Sequence, residues 1–313
     1  MPEAVDEDTL SVTRRIVIEA PRVLVFSVLT EPEQLGQWFG QAADFPDGVA
    51  AGAEGSFGWT EHGVYPARVE RYHPPVEFAF TWGTPGEPLR DNNSTTATFR
   101  LEETASGTEV TVTETGFDQI GDEVARRAAM EETADGWRQE LDDLSAQVAG
   151  LAGSPGTGLP ARANTEAGRI VRSVLVRTDQ VATWNALTDP AAIEAWWGHP
   201  AVFPDGLAAG RPGTFEWVGH GLMPIRIEHF DAPVRFEFHW GELDEPQPGP
   251  DASLVSFTLV GVDDVGTIVT VVETGFGGLE GARRRAALEE NVRGWQKVLD
   301  SFVAHIEFGQ GAA

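Results

Sequence analysis

The segment from Trp59 to Gly83 reads WTEHGVYPARVERYHPPVEFAFTWG, and 158 residues later Trp217 to Gly241 reads WVGHGLMPIRIEHFDAPVRFEFHWG. Each begins at a tryptophan, turns at a His-Gly pair (His62-Gly63, His220-Gly221) and ends in apolar residues alternating with others. Phe78, Phe80 and Trp82 then fall on one face of a strand, as a half-buried β-strand requires. Working outward, the same shift relates Thr30-Glu-Pro to Thr188-Asp-Pro, Phe45-Pro-Asp-Gly48 to Phe203-Pro-Asp-Gly206, and Gly136-Trp137 to Gly294-Trp295. Glu114-Thr-Gly-Phe117 meets Glu273-Thr-Gly-Phe276 one residue further on, so a loop has gained a residue. A period this long makes each copy a whole domain and not one unit of a solenoid.

Domains are expected at residues 1–149 and 167–313. The Gly-, Ser- and Pro-rich stretch between them, residues 150–166, reads as a linker without secondary structure. Each copy begins with an alternating strand, around residues 15–20 and 172–177. Two short helices follow, the first over about 22–29 and 179–187, the second opening at Pro32 and Pro190, where proline suits the first helical turn. Further strands come next, with Phe57/Trp59, Phe99/Leu101 and Val110/Val112 each on one face. A long helix closes each copy: Trp137, Leu141, Leu144 and Val148 form one apolar stripe, as do Leu288, Val292, Trp295, Leu299, Phe302 and Ile306. The expected order is β-α-α-β-β-β-β-β-α with room for an extra edge strand. The fold class is α+β, two tandem helix-grip domains, each a curved antiparallel sheet around a long C-terminal helix.

Composition narrows the function. The chain has 313 residues, 22 basic against 49 acidic side chains and a net charge of −27, which disfavours nucleic acid and anionic membrane surfaces as partners. The acidity either helps attract a cationic ligand or simply keeps the surface solvated. Without cysteine, disulfides, thiolate metal sites and cysteine nucleophiles are excluded. No metal-ligand spacing emerges, and no cofactor is expected. An acidic start and the lack of an 18-residue apolar run point to a cytoplasmic protein.

The Thr-Glu/Asp-Pro turns before Trp38 and Trp196, the strands ending at Trp82 and Trp240, the Gly107-Thr108 and Gly266-Thr267 hairpins, Glu-Thr-Gly-Phe and Gly-Trp together resemble the START-like, or Bet v 1-like (SRPBCC), superfamily. Within it they resemble the family named for the Hsp90 ATPase activator homologue. The resemblance implies a cavity between sheet and helix. It implies three kinds of role: sequestration of a hydrophobic aromatic molecule, polyketide cyclase/aromatase chemistry, or stimulation of an Hsp90-type ATPase. The first extends to self-resistance against enediynes, of the kind known in calicheamicin producers, where a backbone glycine yields hydrogen to the activated drug. Gly116 and Gly275 are the glycines that follow a cavity-lining strand.

Candidate ligand-binding residues are the repeated aromatics and their neighbours. In the first copy they are Trp38, Phe57, Trp59, Tyr65, Phe80, Trp82, Glu114 and Trp137. In the second they are Trp196, Trp197, Phe215, Trp217, Met223, Phe238, Trp240, Glu273 and Trp295. Each aromatic is either ordinary core or a pocket wall. Glu114 and Glu273 share a strand face with valines, so each is either an acid of raised pKa in an apolar cavity or a strand-end cap. His62 and His220 read as turn residues or as general bases, and Arg68/Glu70 with Arg226/Glu228 as solvated ion pairs. No catalytic residue is assigned, the expected partner is a hydrophobic small molecule, and oligomeric state stays open.

Overall fold

The computed structural model describes residues 5–46, 48–153, 160–165 and 167–309. The chain divides into two compact units, residues 1–149 and 150–313. Within the expected linker, residues 150–166, positions 154–159 and 166 lie outside the described residues.

In the first unit β1 (Val5–Asp6) and β2 (Ser11–Ile18) precede α1 (Arg22–Thr30) and α2 (Pro32–Trp38). Then come β3 (Ala42–Asp44), β4 (Glu54–Trp59), β5 (Gly63–His73), β6 (Glu77–Gly83), β7 (Ser94–Thr104) and β8 (Gly107–Thr115). A 3-10 turn, Phe117–Gln119, leads into α3 (Glu123–Ala152). The strands form one antiparallel sheet in the order β1-β2-β8-β7-β6-β5-β4-β3. Thus β2 returns across the sheet to pair with β8, putting Val12 opposite Glu114.

The second unit repeats the plan with β9 (Arg162–Asn164), β10 (Arg169–Val176), α4 (Gln180–Thr188), α5 (Pro190–Trp197), β11 (Ala201–Val202), β12 (Pro212–Trp217), β13 (Gly221–Asp231), β14 (Arg235–Trp240), β15 (Ser253–Val262), β16 (Gly266–Thr274) and α6 (Gly281–Phe308). Its sheet runs β11-β12-β13-β14-β15-β16-β10-β9. Both units are therefore α+β helix-grip folds with an eight-stranded antiparallel sheet.

Local chemistry explains the elements. Asp179 caps α4 by accepting from the Ala182 amide at 2.9 Å, and Asp189 caps α5 by accepting from the Ala191 and Ala192 amides at 3.0 Å each. Pro32 and Pro190 take the first helical turn, where a missing N–H leaves no intrahelical bond unmade. Sheet curvature has a matched source: the register slips between Val69 and Arg71 and between Ile227 and His229. A bulge at Glu70 and at Glu228 bends the long strand at the same place in each unit. Arg68 reaches the bulged Glu70 at 2.8 Å on the outer face, while Ala67 and Val69 stay buried inside.

Six strands separate the short helix pair from the long helix, the extra edge strand allowed for being β3 and β11, while β1 and β9 extend the other edge. The stretch expected as an unstructured linker is structured at both described ends. Helix α3 continues through Gly150 to Ala152, and β9 pairs with β10 through Ala163 and Ile170. Leu151 is 3% exposed, so its burial offsets the roughly 1 kcal/mol that a helical glycine costs.

Candidate functional site

Alternation along β8 puts Val110, Val112 and Glu114 on the inner face, all buried. A carboxyl group at that depth needs donors, and three side chains from other elements supply them. Trp82 Nε1 at the end of β6 donates to Glu114 Oε1 at 3.0 Å, and the Thr95 hydroxyl on β7 donates to the same oxygen. Trp137 Nε1 on α3 donates to Oε2 at 2.5 Å. Glu114 is 1% exposed. Burial pushes its carboxyl above the ordinary carboxylate range, and the bonds from Thr95, Trp137 and Trp82 pull it down without overcoming that push.

The second unit builds the same clamp. Trp295 Nε1 donates to Glu273 Oε2 at 2.7 Å, while the Ser253 hydroxyl and Trp240 Nε1 donate to Oε1 at 2.9 and 3.2 Å. Trp240 Nε1 also donates to Ser253 Oγ at 2.5 Å. Burial again raises the carboxyl, against the pull of Trp295, Ser253 and Trp240. Neither glutamate is a strand-end cap; each joins three elements of its unit beneath the aromatic face.

Much of the space between sheet and helix is filled with rings. Phe39, immediately after α2, sits at the centre of the first unit. It stacks on Trp137 (5.4 Å between centroids, 3° between planes) and meets Phe57, Trp59, Phe80 and Trp82 within 5.7 Å. Trp38, Phe57, Phe80 and Trp137 are buried in this packing. Trp38 spends its indole N–H on the Val28 carbonyl at 3.1 Å. Trp59, Tyr65 and Trp82 are half-buried and form a contiguous group, with centroids 5.2 to 5.8 Å apart.

A cavity of about 560 Å³ opens at one end of this sheet. Its walls are the end of β6, the start of β7, the end of β8, the 3-10 turn and the first part of α3. Of the expected ligand-binding residues in this unit, Tyr65, Trp82 and Glu114 line it, while Trp38, Phe57, Trp59, Phe80 and Trp137 do not.

In the second unit Trp197 takes the place of Phe39 and contacts Phe215, Trp217, Trp240 and Trp295. Trp196, Phe215, Phe238, Glu273 and Trp295 are buried; Trp197, Trp217, Met223 and Trp240 are half-buried. His199 lies flat on Trp217, centroids 4.2 Å apart at 17°, and its Nδ1–H donates to the Glu216 carbonyl at 3.1 Å.

Three participants escaped the sequence reading: Phe39, Thr95 and Ser253. Phe39 was marked only by its alignment with Trp197. Thr95 and Ser253 were marked by a hydroxyl residue at the same offset from Trp82 and Trp240. His62 and His220 are exposed turn residues whose amides close on Trp59 and Trp217 at 3.1 and 2.8 Å. Gly116 and Gly275 have φ of 105° and 108°, and a Cβ there would approach Thr95 Cα to 3.1 Å and Ser253 Cα to 2.7 Å. The Glu-Thr-Gly-Phe glycine thus lets the backbone turn tightly beneath the hydroxyl that clamps the glutamate. Among the described residues no cluster of metal-ligating side chains occurs, and no helix is long and apolar enough to cross a membrane.

Fold and clamp together define a duplicated helix-grip protein. The chain belongs to the family described as Activator of Hsp90 ATPase homolog 1-like protein, whose model matches residues 19–149 and again 178–307. Among solved structures, BexL, a di-domain ARO/CYC from the BE-7585A biosynthetic pathway, is 14% identical over 95% of this chain and 98% of its own, with a TM-score of 0.41. DynU16, a putative protein in the dynemicin biosynthetic locus, is 16% identical over 93% and 97%, with a TM-score of 0.37. CalU16 from Micromonospora echinospora is 22% identical over 43% of this chain and 71% of its own, with a TM-score of 0.34. Among curated proteins none matches.

Proposed function

We propose that the protein binds and sequesters a hydrophobic, aromatic small molecule, and that the first unit does so in the cavity bounded by Tyr65, Trp82 and Glu114. The carrying observation is a carboxyl group 1% exposed on the wall of a cavity of about 560 Å³. That volume falls in the range that small-molecule sites occupy, and a few polar groups among apolar walls are what such sites use to orient a ligand. Tyr65, Trp82, Phe117 and Ile120 supply the apolar surface. A polycyclic polyketide or an enediyne fits the volume and the flat walls. Gly116 also borders the cavity, which supports asking whether such a ligand reacts with the backbone there. The second unit shares the clamp, with Trp217, Met223 and Trp240 as its half-buried residues.

One observation favours a second reading. A carboxyl held protonated against a ligand is a general acid, the group a cyclase-type reaction needs. Burial raises Glu114 in that direction.

Titration with aromatic polyketides and enediynes, followed by tryptophan fluorescence and then by intact mass, separates these readings. Sequestration predicts saturable quenching with ligand and protein masses unchanged. Ligand conversion over many turnovers moves the assignment to an enzyme, and chain cleavage at Gly116 to self-sacrificing resistance. If no member of the panel quenches, the binding reading fails.

A further inference from the structure

The charge of the first unit's cavity narrows its ligand. Glu114 has three partners, Trp82, Thr95 and Trp137, and all are neutral donors. Of the 17 residues lining the cavity, two are carboxylates, Glu114 and Glu132, and none is lysine, arginine or histidine. Arg126, early on α3, turns its guanidinium to the Ile120 carbonyl at 3.0 Å. The cavity therefore offers one deeply buried acid, one exposed acid on α3, and the faces of Trp82 and Tyr65, with no cationic wall residue to balance them.

We propose that this cavity selects ligands in which an aromatic body carries a protonated amine. The inference rests on the binding reading above and gives that ligand its charge. An ammonium group beside Glu114 would supply the counter-charge the clamp lacks, inside a site where low dielectric strengthens the attraction. The indole of Trp82 and the ring of Tyr65 offer π faces for the same cation. Glu132 guards the α3 side, and a net charge of −27 concentrates cations around the molecule.

The second unit differs beside its aromatic group, where an imidazole and a lysine stand in place of two amides. His199 stacks on Trp217 where the first unit has Gln41. Burial disfavours the imidazolium most, the bond to the Glu216 carbonyl offsets part of that, and Lys297 and His220 disfavour it further. At the positions of His199 and Lys297 the first unit has Gln41 and Gln139, so the amine preference belongs to the first unit.

A matched pair of ligands tests the inference on the full chain: an anthraquinone bearing an aminoalkyl side chain, and the same ring with a hydroxyalkyl chain of equal length. Affinities come from tryptophan quenching at neutral pH, checked by calorimetry. The expected result is an amine preference of at least tenfold for the wild type. Glu114→Gln should remove most of that preference and Glu132→Gln part of it, the preference being read in each variant as the ratio of its own two affinities. Glu54→Gln, an exposed acid on β4, should leave the preference intact. Equal affinity of the wild type for the two ligands overturns the inference while leaving the binding reading in place. So does a preference that survives Glu132→Gln and Glu114→Gln alike. If Glu114→Gln does not fold, the wild-type ratio and Glu132→Gln still decide. Binding of neither ligand overturns the binding reading, and this inference with it.

Discussion

Replacing Trp137 by phenylalanine separates the two jobs of that side chain. The phenyl ring keeps a surface for Phe39, which stacks on the indole at 5.4 Å, and for the edge contact with Phe99 at 5.4 Å. It removes the N–H that donates to Glu114 Oε2 at 2.5 Å. A hydrogen bond to a charged or strongly polarised group contributes about 1.5–3 kcal/mol. Here the abandoned oxygen belongs to a residue 1% exposed, so water has little access to replace the donor. Shrinking the ring system adds about 1–2 kcal/mol of lost burial. The expected cost is therefore about 2.5–5 kcal/mol, a fall of about 5–20 °C in the melting transition of a unit this size. The assay is thermal and urea unfolding of the full chain followed by circular dichroism, with Trp295→Phe identifying the transition of the second unit. The decisive measurement is a double-mutant cycle with Glu114→Gln. Coupling above about 1 kcal/mol means the indole N–H and the carboxyl act together. Coupling below about 0.5 kcal/mol would make Trp137 a packing residue only and refute the clamp as an energetic unit.

Four further outcomes follow from the same structure. Glu31 is pushed up to about 7 from an ordinary 4.5, mainly by burial and then by Glu33. The folded state therefore holds a proton the unfolded chain has lost, so stability should fall as pH rises from about 4.5 to about 7 and level off above. Glu31→Gln should flatten that slope in chemical denaturation; an unchanged slope would remove Glu31 as its source. Arg172, 1% exposed, donates to the Trp295 carbonyl at 2.9 Å, to the Gln296 carbonyl and to Asp300, whereas Arg14 at the matching position makes one bond, to the Ala134 carbonyl at 2.9 Å. Arg172→Leu should cost about 3 kcal/mol and Arg14→Leu about 1 kcal/mol in urea unfolding, and equal costs would contradict this account. Gly275→Ala should destabilise more than Gly116→Ala, because its Cβ meets Ser253 Cα at 2.7 Å against 3.1 Å for the closest backbone atoms at Gly116. Melting curves that reverse this order would show that the turn relaxes freely. Phe39→Ala should cost about 3–5 kcal/mol and weaken ligand quenching through Trp82, whose ring Phe39 supports at 5.7 Å. A stable variant with wild-type quenching would remove Phe39 from the site.

What the sequence made legible has a physical pattern. The repeat, the helix stripes and the buried side of each long strand depend on local periodicity, and there the structure follows the sequence closely. Even Glu114 could be placed on the inner face, because Val110 and Val112 share its parity on β8. Its partners could not be named. Trp82 lies two strands away in the sheet, on β6, and Trp137 projects from a helix 23 residues later, so their convergence depends on sheet order and curvature. The bulges at Glu70 and Glu228 that help set this curvature leave no periodic trace, since each is a single unpaired residue. Strands of two or three residues, such as β1, β3, β9 and β11, are too short for alternation to emerge. The first domain's expected end at residue 149 falls inside α3 because Gly150 reads as a break, although Val148 and Leu151 continue the buried stripe across it.

The two units also separate what they share from what would distinguish their ligands. The clamp is the same in both: a glutamate on the last strand, two indoles and one hydroxyl. A device kept in both copies serves something they share, namely tying sheet, helix and the tight glycine turn together around one buried carboxyl. The surrounding positions differ where the clamp does not. Tyr65 answers to Met223, Gln41 to His199, Gln139 to Lys297, and the polar loop after Trp82 to an acidic, proline-rich one after Trp240. In that second loop Asp244 accepts from the Leu222 amide at 3.1 Å, so it folds back over the turn that opens β13. If selectivity lay in the clamp alone, the two units would choose the same ligand. Because the differences gather around the aromatic faces, an exchange of Gln41 and Tyr65 for His and Met should carry the second unit's preference into the first. A graft that leaves the first unit's ligand order unchanged would show that these surrounding positions do not set it.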